Sequence, residues 1–235
     1  MSSALLESRT AGPDFIFIGE HPAIDFANTL MIGPDGEPLD LLRSWPDVVD
    51  WLSRAGLSKD PRLNVSVSRG PEALQDVLEL RKTWIAAIAQ LLAEGTVNDE
   101  FPASVNRLLA GDRYCDVVQR EGKKGFRLVR SLSQLDGEKL ALTILARQIA
   151  TFLAEANLKY LHRCANTLTC TLYFYDTTKN HRRQWCRAAV CGNRHKVAAF
   201  RERKALLMTR QPKESGVRKQ ESGVRSQESG DWLDT

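Results

Sequence analysis

Four cysteines lie between residues 164 and 191 and could together bind a metal ion. They form two pairs, Cys164 with Cys170 and Cys186 with Cys191, and fifteen residues separate the pairs. Two close pairs of thiolates are a ligand set typical of tetrahedral Zn²⁺, because each pair can hold one edge of the tetrahedron. We therefore predict a zinc site with these four ligands. Four thiolates leave no coordination position for a substrate, so the predicted zinc is structural.

The cysteine spacing leaves alternatives open. Neither pair has the two-residue spacing of the strongest zinc signatures, so a disulfide or ordinary buried cysteines also fit the pattern. One of three nearby histidines could replace Cys170 as a ligand: His162, His181 or His195. Zinc is favoured because a module with so few large apolar side chains needs a further source of stability to fold, and structural zinc typically supplies about 10–16 kcal/mol. The fifth cysteine, Cys115, is interpreted as a buried residue on a strand.

Positive charge is concentrated around the same cysteines. The chain carries a net charge of +4, whereas residues 159–210 alone carry twelve Lys or Arg against Asp176 and Glu202. Such a local excess indicates a surface for a polyanion. The predicted nucleic-acid-binding residues are Arg182, Arg183, Arg187, Arg194, Lys196, Arg201, Arg203 and Lys204.

A basic helix is predicted to follow the last cysteine. Gly192 fits a sharp turn and Asn193 fits an N-cap, so the helix is expected from Arg194 to about residue 208. Seven residues are nearly two helical turns, which places Arg194 and Arg201 on one face and Lys196 and Arg203 on another. Val197, Phe200 and Leu207 are expected to pack inward.

The residues before the cysteines predict an α+β fold, with a predominantly helical N-terminal domain that contains a β-hairpin. Helical patterns begin at Ser44 and Pro71, and another extends from Leu135 to His162, while period-two alternation over 114–132 indicates the hairpin. We predict three regions: a mainly helical domain over 1–158, a zinc-ribbon-like module with its basic helix over 159–210, and a tail over 211–235. The tail repeats ESGVR every seven residues without an apolar seam, so it is expected to be disordered and of low complexity.

The stretch HPAIDFANTL contains three polar residues among apolar ones: His21, Asp25 and Asn28. They could form a small effector site, although helix capping and loop hydrogen bonds explain the same residues. The sequence contains no phosphate-binding glycine loop and no nucleophile motif, so we expect that the protein is not an enzyme. It also lacks an export signal and a spanning segment, which predicts a cytoplasmic protein without a membrane partner.

The cysteine region resembles the CGNR zinc-finger family, named for the residues that are here Cys191, Gly192, Asn193 and Arg194. The resemblance covers about forty residues, including CANTLTCTLYFYDTTKNHRR and WCRAAVCGNRHK. FIGEHPAIDFANTL and LRSWPDVVDWLSRAGL are similar to the ABATE domain that usually precedes this finger. The resemblance implies a bacterial stress-induced transcription regulator whose zinc module binds nucleic acid.

The combined prediction is a zinc-stabilised, nucleic-acid-binding regulator whose basic module contacts DNA more readily than RNA. The alternatives are an RNA-binding protein and an adaptor whose basic module meets an acidic protein. A small-molecule effector at the N-terminal domain is an additional predicted partner.

Overall fold

The computed structural model describes residues 13–64, 70–110, 114–121, 125–132 and 135–210. The chain divides into two compact units, of which the first extends to Lys196 and the second begins at Val197. The sequence boundary expected between residues 158 and 159 therefore lies within the first unit. The predicted tail over 211–235 lies outside the described residues.

Helices dominate the described residues, as the sequence predicts. They are α1 (Pro22–Ala27), α2 (Trp45–Arg54), α3 (Gly70–Glu94), α4 (Glu100–Leu109), α5 (Gly137–Glu155) and α6 (Asn193–Arg210). The start of α2 has the expected capping box, in which the Asp47 carboxylate accepts a hydrogen bond from the Ser44 backbone N–H at 2.8 Å. None of the helices in the described part of the chain is both long and apolar enough to cross a membrane.

Three two-stranded antiparallel sheets accompany the described helices. Their strands are β1 (Leu30–Ile32) with β2 (Pro38–Asp40), β3 (Tyr114–Glu121) with β4 (Gly125–Leu132), and β5 (Leu161–Arg163) with β6 (Tyr173–Tyr175). The β3–β4 pair is the predicted hairpin, in register from Tyr114 opposite Leu132 to Glu121 opposite Gly125. Cys115 lies on β3 as expected, and its side chain is outside the described residues.

The helix predicted to continue to His162 ends earlier. Helix α5 stops at Glu155, and Ala156 adopts an extended conformation with ψ of 139°. The Asn157 side chain then accepts a hydrogen bond from the Lys159 N–H and caps a short 3₁₀ turn. Strand β5 follows this turn, so the first cysteine is reached from a strand and not from a helix.

The main core surrounds α1, which packs against α3 and α5. Ala23, Ile24 and Phe26 are essentially inaccessible to solvent. The Trp84 indole N–H of α3 donates to the Ala23 carbonyl at 2.7 Å, which satisfies a polar group that would be costly to bury alone. Asn28, the C-cap of α1, is buried at the end of this helix.

Residues 159–196, which we call the cysteine module, pack directly on the N-terminal region that contains α1. The Asn28 side chain makes two hydrogen bonds of 2.9 Å with Tyr173 of β6, donating to its carbonyl and accepting from its N–H. The Tyr175 N–H donates to the Gly19 carbonyl, also at 2.9 Å. Ile18 belongs to the same buried cluster as the four cysteines. The cysteine module and the N-terminal region therefore share packing within the first unit.

Candidate metal centre and nucleic-acid surface

The sulfur atoms of the four predicted ligands converge. All four lie within 4.8 Å of one another, and the Sγ–Sγ distances are 3.6 Å for Cys170 and Cys186 and 3.5 Å for Cys186 and Cys191. Tetrahedral zinc with Zn–S bonds of about 2.3 Å requires sulfurs about 3.8 Å apart. A disulfide would bring two sulfurs to about 2.05 Å, so these are free thiols arranged for a cation.

The first pair of cysteines is held in a knuckle between β5 and β6. The Cys164 N–H donates to the Leu172 carbonyl at 2.9 Å, which closes the turn that contains both cysteines. The Cys186 N–H lies 3.5 Å from the Cys164 sulfur and donates to it. That hydrogen bond joins the two pairs and offsets some of the negative charge of a thiolate ligand.

The second pair is positioned by a wide helical turn. Residues 188–192 form a single π-helical turn, and the Cys191 N–H donates to the Arg187 carbonyl at 2.9 Å. Helix α6 continues directly from this turn. The expectation of an N-cap at Asn193 is wrong, because the chain is already helical there and the Asn193 side chain donates to the Ala189 carbonyl.

Gly192 also differs from its expected role. Its backbone lies in the π turn, and it is not among the described glycines with positive φ. A Cβ atom at this position would meet the Trp185 ring at 3.5 Å, an ordinary van der Waals distance. The sharp turn predicted at Gly192 is replaced by a helical entry into α6.

The electrostatics of the cysteine cluster favour a cation once its thiols are ionised. The hydrogen bond from the Cys186 thiol lowers the pKa of Cys170 to about 5, while the same bond and burial raise the pKa of Cys186. Burial is also the main cause that raises the pKa of Cys191. Neighbouring thiolates repel one another, so a divalent cation is needed to keep all four ionised. Zn²⁺ fits this all-sulfur set better than Mg²⁺ or Ca²⁺, which prefer oxygen ligands.

The three histidines lie outside the group of potential ligands found among the described residues. His181 stacks on Tyr160 with ring centroids 3.6 Å apart, and its Nδ1 lies 2.9 Å from the Asp176 carbonyl. His195 lies near the Trp185 ring, and His162 lies near Phe174. Replacement of Cys170 by a histidine ligand is therefore unnecessary in this geometry.

Arg183 is the central structural side chain beside the cysteines. Its guanidinium donates to the Ile18 carbonyl at 3.1 Å, to the carbonyls of Trp185 and Cys186, and to the Glu20 carboxylate at 3.1 Å. The same group lies over the Phe174 ring at 4.4 Å. These contacts use the donors of Arg183 to join the N-terminal segment to the cysteine module, and its contact with nucleic acid stays a prediction.

Asp176 is an important residue that the sequence analysis did not single out. Its side chain is fully buried, and its carboxylate accepts hydrogen bonds from the Thr178 N–H and hydroxyl and from the Arg183 N–H. Burial alone would raise its pKa, but these hydrogen bonds outweigh burial and lower the pKa. The sequence signal was an aspartate two residues before a threonine after a β-prone run, a pattern typical of a side-chain-stabilised turn.

The three residues of the predicted effector site are used within the fold. Asp25 accepts hydrogen bonds from the Ile18 and Gly19 N–H groups at 2.9 and 2.7 Å, and the His21 ring accepts from the Ala23 N–H at the start of α1. Asn28 holds Tyr173, as described above. Capping and loop hydrogen bonds therefore account for the polar groups of this stretch, and an effector site formed by the three residues stays a prediction.

Asp25 supplies a testable pH dependence. Burial raises its pKa from 3.8 to about 6, so the folded protein binds a proton that the unfolded chain releases between these values. The wild-type protein should therefore lose stability relative to Asp25→Asn as the pH rises from about 4 to about 6, by at most about 3 kcal/mol. Asparagine keeps the Oδ1 acceptor that both N–H groups use. Urea unfolding of the two proteins across this range measures the difference, and a constant difference would contradict the prediction.

The remaining predicted nucleic-acid contacts are exposed. In the first unit Arg182, Arg187, Arg194 and Lys196 are exposed, and none of them forms an ion pair with a described residue. In the second unit Arg201, Arg203 and Lys204 are exposed as well. Val197 and Phe200 were expected to pack inward but are 48% and 62% exposed. Leu207 has no described side chain.

Comparison with known families matches both parts of the chain. The family described as "CGNR zinc finger" matches residues 160–204, which include the four cysteines and most of the exposed cations. The ABATE family, described as "Putative stress-induced transcription regulator", matches residues 20–156. A comparison with curated proteins finds no match. The four cysteines thus form the potential zinc site of a CGNR zinc finger. Because its family match covers more than half of the chain, the protein belongs to the ABATE family.

Proposed function

We propose that this chain regulates transcription by contacting DNA through the exposed cations of its CGNR zinc finger. The observation that carries the proposal is the set of four exposed cations around the cysteine cluster that lack an acidic partner among the described residues: Arg182, Arg187, Arg194 and Lys196. A cation that is already paired with a carboxylate would gain less binding free energy from a phosphate than an unpaired cation. The family to which the chain belongs supports a regulatory role.

The zinc centre would act by holding these cations in place. Arg187 lies between the second-pair cysteines, and Arg194 follows Cys191 by three residues, so metal coordination fixes the backbone on which both side chains stand. A fixed backbone lowers the entropy lost when a long side chain meets a phosphate. The exposed Arg201, Arg203 and Lys204 supply further positive charge from the second unit.

We propose a binding role without catalysis. Four thiolates complete the coordination of a zinc ion, which leaves it no open position for an activated water. The buried Asp25 and Asp176 carboxylates accept backbone hydrogen bonds within the fold. The proposed target is double-stranded DNA in the cytoplasm, because a transcription regulator acts on duplex DNA. Arginine suits this target, since it can both neutralise phosphates and read guanine edges.

The test is a salt titration of the zinc-loaded protein with duplex DNA. The affinity should fall steeply with salt, and Arg194→Ala should reduce the slope of log affinity against log salt by about one. Arg187→Ala should have the same effect, since both side chains are exposed cations. Fluorescence anisotropy with a labelled duplex measures the slope, and zinc content is measured on each variant to show that the centre is retained.

Lys82→Ala is the matched control. Lys82 is also an exposed cation of the first unit, but it lies on α3 and pairs with Glu79 at 3.1 Å. We expect its removal to leave the salt slope unchanged. Tighter binding to single-stranded RNA would favour the RNA-binding alternative, and binding to an acidic polypeptide but to no nucleic acid at low salt would favour the adaptor and contradict the proposal.

A further inference from the structure

A cavity of about 420 Å³ lies between the N-terminal region and the cysteine module, within the first unit. Apolar side chains form much of its wall, including Ile16, Ile18, Met31 and Leu39, and Cys170 and Cys186 also line it. Its volume falls in the range of about 300–1,000 Å³ that is typical of small-molecule sites. The cavity therefore offers a largely apolar cleft, open to solvent on one side, next to the metal centre.

The charged groups of the cavity favour an anion. Arg187 and Arg194 line it, and Asp14 is the one carboxylate among the described lining residues. Both arginines are exposed, so they lie at the solvent side of the cavity, and neither pairs with a described carboxylate. A ligand with an apolar body and one carboxylate could bury its body and present its charge to them.

The negative charge of a zinc ion with four thiolate ligands would repel a bound anion. Zinc with four thiolates carries two net negative charges, and the sulfur-bearing residues lie in the wall of the same cavity. Coulomb energy falls with distance, so a carboxylate in direct contact with two guanidinium groups is attracted more strongly than the farther thiolates repel it. The N–H of Cys186 also offsets charge on the Cys164 sulfur.

We infer that this cavity binds a small amphipathic monocarboxylate, whose apolar chain packs against Ile16, Ile18 and Met31 and whose carboxylate contacts Arg187 and Arg194. The same two arginines belong to the proposed DNA surface, so the ligand and DNA compete for them. The competition with DNA rests on the proposed function, whereas the binding of the ligand to the cavity is independent of it.

Calorimetry on the zinc-loaded full chain tests the ligand. The probes are octanoate, octanol and octylammonium, which share a chain length and differ in charge. Octanoate should bind about tenfold more tightly than octanol, since it alone can pair with the guanidinium groups. Equal or tighter binding of octanol or octylammonium would overturn the inference.

Two further measurements locate the ligand. Octanoate should shift the methyl resonances of Ile16, Ile18, Met31 and Leu39, and shifts confined to other methyl groups would overturn the assignment. Arg187→Gln combined with Arg194→Gln should weaken octanoate binding about tenfold and leave octanol binding unchanged. Lys82→Gln is the control, because Lys82 is an exposed cation of the same unit that does not line the cavity, and its loss should not affect octanoate.

Competition is tested separately with a labelled DNA duplex. Saturating octanoate should weaken DNA binding by the wild-type protein several-fold, while octanol at the same concentration should not. Octanoate binding without any change in DNA affinity would overturn the competition. Absence of DNA binding would contradict the proposed function alone, because the calorimetry and the methyl shifts still report the ligand.

Discussion

Cys186→Ser is expected to reduce the zinc content from about one ion per chain to nearly none and to unfold the cysteine module. The Cys186 sulfur lies at the centre of the cluster, 3.6 Å from the Cys170 sulfur and 3.5 Å from the Cys191 sulfur. Structural zinc supplies about 10–16 kcal/mol to small modules, and an alcohol is a poor replacement for a thiolate ligand.

The loss should extend into the N-terminal half. The cysteine module is joined to it through the two Asn28–Tyr173 hydrogen bonds and through Ile18, which is buried among the cysteines. We expect the midpoint of thermal unfolding to fall by about 10 °C or more. An excess of chelator should have the same effect on the wild-type protein.

Cys115→Ser is the control for a general effect of losing a thiol. Cys115 lies on β3, which belongs to the hairpin and not to the cysteine module, so its replacement should leave zinc content unchanged. Zinc content is measured by mass spectrometry, and X-ray absorption reports the ligand atoms. Retention of one zinc ion by Cys186→Ser, or a nitrogen ligand in the wild-type protein, would contradict the four-sulfur site.

The features that sequence could predict are those with a local signal. Period-two alternation identified the β3–β4 hairpin, and the Ser44–Asp47 spacing identified the capped start of α2. Cysteine spacing identified the metal ligands, because four thiolates have few other uses when they occur together in a short segment. These signals lie within a few residues or depend on a residue type with restricted chemistry.

The features that sequence could not predict depend on contacts between distant residues. Arg183 looked like one more cation in a basic segment, yet its partners Ile18 and Glu20 lie more than 160 residues earlier. Asn28 lies 145 residues from Tyr173. The local pattern around Gly192 and Asn193 favoured a turn and a cap, whereas the structure has a π turn there, with the Cys186 and Cys191 sulfurs 3.5 Å apart.

Arg183→Lys should lower the free energy of unfolding by about 2–4 kcal/mol although it preserves the charge. A lysine ammonium cannot reproduce the planar guanidinium, which reaches the carbonyls of Ile18, Trp185 and Cys186 together with the Glu20 carboxylate. Some of these buried acceptors would lose their donor, and the contact with the Phe174 ring would weaken. Urea unfolding of the zinc-loaded proteins measures the loss.

Arg182→Lys separates this structural role from a role in binding. Arg182 is the exposed neighbour of Arg183 and forms no ion pair with a described residue, so the same substitution there should change stability by less than about 0.5 kcal/mol. DNA affinity supplies a second readout. Arg183→Gln removes the charge. If Arg183 acts by joining the N-terminal segment to the metal centre, Arg183→Gln should leave the salt slope of DNA binding unchanged at a temperature where the protein is folded. A slope reduced by about one with unchanged stability would instead place Arg183 on the DNA surface, as its position in the basic segment had suggested.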